Sequence, residues 1–268
     1  MIQCTGRAAH RETDPPCLGV YAALAYLVLP TFWRHYEHLP AMASMPKITH
    51  TPDGLPGDPL NVALVGTEAH VQRAFAAARW YPADPITLRS AVAIAEGVVL
   101  HRPDPNAPVS TLLLFGRRED LAFEKDVGGS PRERNHVRFW HTDLHADLER
   151  PVWVGAATFD RGVGFSHTTG QITHHIAPDI DVERETLVHD LEAAGRLTAL
   201  YFVTGVGPTL RGRNGGGDRY FTDGELAVGV LTPEDAPGTH DAEVLPSPIP
   251  VVLKNQFWAW LRPALSER

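Results

Sequence analysis

The amino-acid sequence predicts an α+β domain, with helices packed on an antiparallel-rich, mixed sheet and one hydrophobic helix ahead of it. Three observations predict this class. Short β-rich runs bounded by Gly, Pro, Asp or Ser crowd residues 111–176, residues 179–194 carry apolar side chains at helical spacing, and Pro15–Trp33 holds no charged residue. Runs of strands beside separate helices point to helices covering a sheet rather than to a parallel βαβ fold.

The N-terminal element rests on length and charge. As a helix, the uncharged stretch would extend roughly 28 Å, close to the hydrocarbon thickness of a bilayer. Leu18, Val20, Leu24, Leu27, Val28, Leu29 and Phe32 together favour insertion by roughly 3 kcal/mol, with Tyr21, Trp33 and Tyr36 suited to the interface. Arg34, His35, Glu37 and His38 separate this run from the small residues Ala41-Met42-Ala43. That order suits an uncleaved anchor better than a cleaved leader. The expected organisation is a tail at 1–14, a transmembrane anchor at 15–36 and a linker at 37–56, the surrounding 38–58 stretch carrying four prolines and two glycines. Arg7 and Arg11 balance Arg34 and Lys47, so the side of the membrane on which the domain lies stays open.

Within the domain, Asn61–Val65 reads as a buried strand. Thr67 or Glu68 then opens a helix to about Ala78, with Val71, Phe75 and Ala78 on one stripe. Thr87–Val99 is a second helix candidate. Strands are expected at Thr111–Phe115, Leu121–Lys125, His136–Thr142, Val152–Phe159 and Gln171–Ile176. Asp179–Ala194 is the clearest helix: Ile180, Leu187, Val188 and Leu191 form its stripe, Asp179 or Asp181 can cap it, and Gly195 suits a left-handed end. Leu197–Val203 is a strand. Asp223-Gly224 between Tyr220–Thr222 and Glu225–Val228 has the sequence of a two-residue hairpin turn. Phe257, Trp258 and Trp260 in Lys254–Leu261 point to a terminal aromatic helix, packed on the domain or lying at a bilayer interface.

Composition removes several function classes. The 268-residue chain has net charge −8 and no dense basic run, which argues against a nucleic-acid partner. Of its 24 basic residues 21 are arginines, so its cations are mostly planar, fixed donors. Cys4 and Cys17 lie before the domain, which therefore has no disulfide, thiolate metal site or cysteine nucleophile of its own.

Residues 132–190 hold half of the 14 histidines: His136, His141, His145, His167, His174, His175 and His189, interleaved with aspartates. Strand alternation puts His136, Arg138 and Trp140 on one face and sends His174 and His175 to opposite faces. No H-E-x-x-H or H-x-H spacing occurs, so neither a metal nor another cofactor is expected. His136, Asp160, His174 and His175 are the candidate catalytic residues, as acid/base groups. The second constellation is Gly207–Arg219, where glycines and Arg211, Arg213 and Arg219 suit an anion, although a plain connector with Asp218 paired to an arginine fits equally. No P-loop, dinucleotide fingerprint or G-x-S-x-G context is present.

Several strings together resemble one family: GDPLNVALVG (57–66), RWYPADPITLRS (79–90), PVSTLLLFGRREDLAFEK (108–125), GGSPRERNHVRFW (128–140), VWVGAATFDRGVGFSHTTGQITHHI (152–176) and GPTLRGRNGGGDRY (207–220). They look like the LssY C-terminal domain family, named after a component encoded with a bacterial type I secretion system. The resemblance implies a family domain over 57–235, a C-terminal extension over 236–268, and a neighbouring membrane segment. His136, Asp160, Arg161, His174, His175, Arg211, Arg213 and Asp218 match the family pattern, which tends to carry arginine where His141 and His167 stand. No established catalytic role comes with it. The expected function is a single-pass, membrane-anchored accessory domain of the bacterial envelope, with an envelope or transport protein as partner in secretion, transport or lipid handling. The alternative is a hydrolase-type enzyme for a phosphorylated or lipid-derived substrate, using the His/Asp cluster and the Arg-Gly loop.

Overall fold

The computed structural model describes residues 45–83, 111–127, 130–168, 170, 172–204, 211–233 and 241–266. The expected anchor at 15–36 and the helix expected at Thr87–Val99 lie outside these residues. Among the described residues no helix is long and apolar enough to cross a membrane.

In chain order the elements are β1 (Ile48–His50), β2 (Pro56–Pro59), β3 (Val62–Val65), α1 (Glu68–Ala77), β4 (Tyr81–Pro82), β5 (Leu121–Val127), β6 (Ser130–Ala146), β7 (Arg150–Phe165) and β8 (Ile172–Ile176). They continue with α2 (Ile180–Ala193), β9 (Leu197–Thr204), β10 (Arg211–Arg213), β11 (Arg219–Phe221), β12 (Glu225–Leu231), β13 (Glu243–Val244) and α3 (Ile249–Ser266). The fold is α+β with a large mixed sheet in the order β13-β9-β12-β3-β7-β6-β5-β4, and β8 pairs with the far end of β7. The β12–β3 and β13–β9 pairings are parallel, the others antiparallel.

The long β6–β7 pair is the spine. On one face Val137, Phe139, Trp153 and Ala157 meet Val71 and Phe75 of α1 and Leu187 and Leu191 of α2, giving a dry apolar core. On the other face Trp140, Val154 and Ala156 pack with Leu60, Ala63, Leu114 and Val228. Farther along that second face the alternation continues, but with Arg134, His136, Arg138, Thr158 and Asp160, all buried.

Asn61 joins β3 to this spine. Its side chain accepts from Ala157 N at 2.8 Å and donates to Ala157 O at 2.9 Å and Ile180 O at 3.2 Å. β8 takes up the β7 edge just beyond, where Ala177 N donates to Phe159 O. An amide side chain thus fills the ladder positions that neither strand reaches.

Both cap expectations for α2 need refinement. Asp179 stands at the N-cap but its carboxylate grips Arg262 of α3 at 2.7 and 3.1 Å, while Asp181 is fully buried, accepting from Thr222 Oγ1, Asp223 N and Trp258 Nε1. Gly195 ends the helix with φ 63°, as expected. These contacts, with Lys254 and Asn255 on Glu225, pack the C-terminal aromatic helix onto its own domain.

Three further expectations are corrected. Residues 48–59, assigned largely to a linker, form the β1–β2 pair, and Leu60 N and His50 N tie it to Lys47 O and Leu113 O. Thr49 Oγ1 donates to Asp58 O and accepts from Asp58 N, and a Cβ at Gly57 would come within 2.4 Å of that oxygen, so glycine permits the approach. Prolines here mark strand ends rather than an unstructured tether. Thr111–Phe115 makes only isolated bridges, His50 with Leu113 and Leu114 with Arg117. The Asp223-Gly224 hairpin does not form: β11 pairs with β10, and β12 with β9 and β3. Asp223 is held by Arg184, Nη1 and Nη2 at 2.7 and 2.9 Å, and its Oδ1 also accepts from Glu225 N. A bidentate, buried pair overrides local turn preference.

Candidate functional site

A cleft of about 300 Å3 opens where β1–β2, the polar end of β6–β7, β8 and the 214–216 turn converge. Asp58, Arg138, Asp160, His174, Thr173 and Asn214 line it. Each arrives for a local reason. Arg138 and Asp160 continue the second-face alternation of β6 and β7. The pairing shifts between Asp160 and Gly162, opposite β8, and His174 lies against the Asp160 carboxylate, Nδ1 3.3 Å from Oδ2.

The electrostatics are those of an enclosed polar nest. Arg138 is 2% exposed and bonds Asp58 Oδ2 at 3.0 Å. Burial pushes the Asp58 carboxyl above its ordinary value despite that arginine, and the negative charge of Asp160 adds to the rise. Asp160 moves the other way. Burial alone would raise it, but His174 first and Arg134 after it hold it below its ordinary value. The His174 contact is electrostatic rather than a hydrogen bond, because Asp160 Oδ2 and His174 Nδ1 have no aligned partner among the described residues.

His136 lies behind Asp160, 1% exposed, and neither ring nitrogen has a hydrogen-bond partner among the described residues. Burial, with Arg138 and Arg134 nearby, drives its pKa well below the ordinary value and keeps it neutral. Buried polar atoms without partners cost about 1–3 kcal/mol each, so this part of the sheet is not organised for stability alone.

Three of the four sequence-predicted catalytic residues, His136, Asp160 and His174, come together here. His175 does not. It points to the opposite side of β8, as alternation required, where Nδ1 meets Asp218 Oδ1 at 2.8 Å. Asp218 Oδ2 accepts from Ile176 N, and Asp218 N donates to Asn214 Oδ1. His167 stands against His175 with ring centroids 5.2 Å apart. Asp218 is therefore partnered by histidine rather than by one of its neighbouring arginines.

Arg211, Arg213 and Arg219 lie on β10 and β11, exposed, with Arg213 directly opposite Arg219, and none lines the cleft. Sequence reading missed Asp58, the last residue of the Pro- and Gly-rich 38–58 stretch, and gave Arg138 no role. The signal for Arg138 was the Arg134-His136-Arg138 alternation ahead of Trp140. Asp58 had none, because β1 and β2 are three and four residues long.

A family model described as LssY C-terminus matches residues 42–226. The chain belongs to the LssY C-terminal family. The match includes β1 and β2, so the LssY C-terminal unit contains the cleft wall that bears Asp58 as well as the spine that bears Asp160. No curated protein and no solved structure matches the chain.

Proposed function

We propose that this LssY C-terminal domain is a hydrolase-type enzyme that works in the β1–β2/β7/β8 cleft. The observation that carries the reading is one cleft walled by two aspartates whose pKa values are displaced in opposite directions, Asp58 up and Asp160 down. Such a divergence assigns acid and base roles. Asp160, kept ionised and oriented by His174, takes the proton of an attacking water; Asp58, the more readily protonated, supplies a proton to the leaving group. Arg138 holds Asp58 in place, and its charge is balanced across the cleft by the ionised Asp160. With Asp53 also on the rim, the cleft has no spare positive charge for a phosphate, so the charge balance supports a lipid-derived or other uncharged polar substrate over a phosphorylated one.

The test is a panel of chromogenic esters, glycosides and phosphodiesters with the purified chain. We expect turnover of an ester or glycoside, reduced 100-fold or more in Asp160→Asn with binding retained. Equal turnover in wild type and Asp160→Asn, or none across the panel, counts against the enzyme.

Membrane association is a second reading, supported by α3. Ile249, Leu253, Phe257 and Trp260 recur at helical spacing on its outer side, 59–77% exposed, while Val251 and Trp258 face the domain. Such an exposed apolar stripe suits a bilayer interface beside an anchor at 15–36 and the accessory role in the envelope. The full chain should float with phospholipid vesicles, and Phe257→Ser/Trp260→Ser should float less; recovery of the full chain in the soluble fraction without detergent would count against both parts.

A further inference from the structure

We propose that His167, His175 and Asp218 form a mononuclear site for a divalent first-row transition metal, Zn2+ by preference, on the face of β8 opposite His174. This goes beyond the hydrolase reading, since none of the three lines the cleft. Their potential ligand atoms all lie within 4.8 Å of one another. It is the one such group among the described residues.

Donor chemistry narrows the ion. Two imidazoles and one carboxylate suit Zn2+, Fe2+, Co2+ or Mn2+, whereas Ca2+ and Mg2+ prefer oxygen alone. The carboxylate offsets one of the two positive charges, and three protein ligands leave further positions for water or a ligand. Bond lengths of roughly 2.0–2.2 Å place neighbouring ligand atoms about 3.3 Å apart. The His175 Nδ1 to Asp218 Oδ1 distance of 2.8 Å needs to widen by only about half an ångström to reach that spacing.

The surroundings hold the three in register. Asp218 is fixed by Ile176 N and by the Asn214 side chain, which turns the chain over 214–218. His167 N donates to Gly216 O at 2.8 Å, tying the third ligand to the same turn. Gly217 makes the approach possible: its φ is +92°, and a Cβ there would lie 2.7 Å from His167 Cβ. On the other side, a Cβ at Gly164 would lie 2.7 Å from His175 Nε2, so the backbone leaves room for that ring too. The site shares the 214–218 turn with the cleft, because Asn214, Gly215 and Gly216 line one and Asp218 belongs to the other.

The test is titration of the chelator-treated full chain with Zn2+, read by competition with a chromophoric chelator, and with Co2+, read by its visible absorption. We expect one Zn2+ per chain, a Co2+ spectrum of low-symmetry nitrogen and oxygen coordination, and affinity at least 30-fold weaker in His167→Ala. His167 is exposed, so that variant should fold as the wild type does, which separates ligand loss from unfolding. His174→Ala should bind Zn2+ as wild type does. No saturable binding, equal affinity in wild type and His167→Ala, or loss of binding in His174→Ala would each overturn the assignment.

Discussion

On one face of β6 and β7, Val137, Phe139 and Ala157 are sealed beneath the helices; one residue along the same strands, Arg134, His136, Arg138 and Asp160 are buried almost as deeply on the other. The apolar face gains free energy with every side chain it removes from water. The polar face loses it wherever a nitrogen or oxygen goes without a partner, and His136 leaves two such atoms. One pair of strands thus carries a stabilising surface and a costly one back to back. Substitutions on the two faces should therefore shift stability in opposite directions.

The largest effect should come from Phe139→Ala. Phe139 is fully buried and packs edge-on to Phe75 at 5.5 Å, so its loss should lower unfolding free energy by about 3–5 kcal/mol in urea denaturation. A cost below about 1 kcal/mol would mean that the apolar face is not the core.

Glu183 is an exception on the buried side of α2, where burial and the charges of Asp160 and Asp190 push its carboxyl up to about 9. The folded state holds that proton more tightly than the unfolded one. Its contribution is therefore complete below about pH 4.5 and is lost progressively as pH rises toward about 9, at roughly 1.4 kcal/mol per unit. Glu183→Gln should remove that slope and stabilise the chain by roughly 4 kcal/mol at pH 7.5. Parallel stability–pH curves for the two proteins would refute it.

His136→Leu tests the polar face. Removing two unpartnered nitrogens should leave stability unchanged or raise it by about 1 kcal/mol near pH 7.5. The pH dependence is sharper. Because the folded pKa is depressed, the unfolded chain takes up the proton first, so wild type should lose roughly 1.4 kcal/mol per unit as pH falls below about 6.5. His136→Leu should lack that loss. A leucine variant markedly less stable than wild type at pH 7.5 would mean that His136 is a satisfied structural residue. At the small end, Arg213→Ala should change stability by less than about 0.5 kcal/mol, since that charge is exposed.

Period-two and period-3.6 patterns made much of this legible. Alternation separated His174 from His175, and the Ile180–Leu191 stripe with Gly195 located α2. Long-range polar pairing was not legible. Asp223-Gly224 reads locally as a hairpin, yet Arg184, 39 residues away, claims the aspartate. Asp58 reached the cleft through the pairing of two very short strands, and Asp218 found His175 across 43 positions; no local period encodes either meeting.

Asn61 has a kinetic consequence. Its amide ties Ala157 and Ile180, 96 and 119 positions along the chain, so those bonds close only after the intervening strands have found their register. The seam between β3 and β8 should consequently be a late event in folding, and Asn61→Ala should speed unfolding more than it slows refolding. In the folded protein, the Ala157 amide, shielded by that side chain, should exchange its hydrogen only when the whole domain opens.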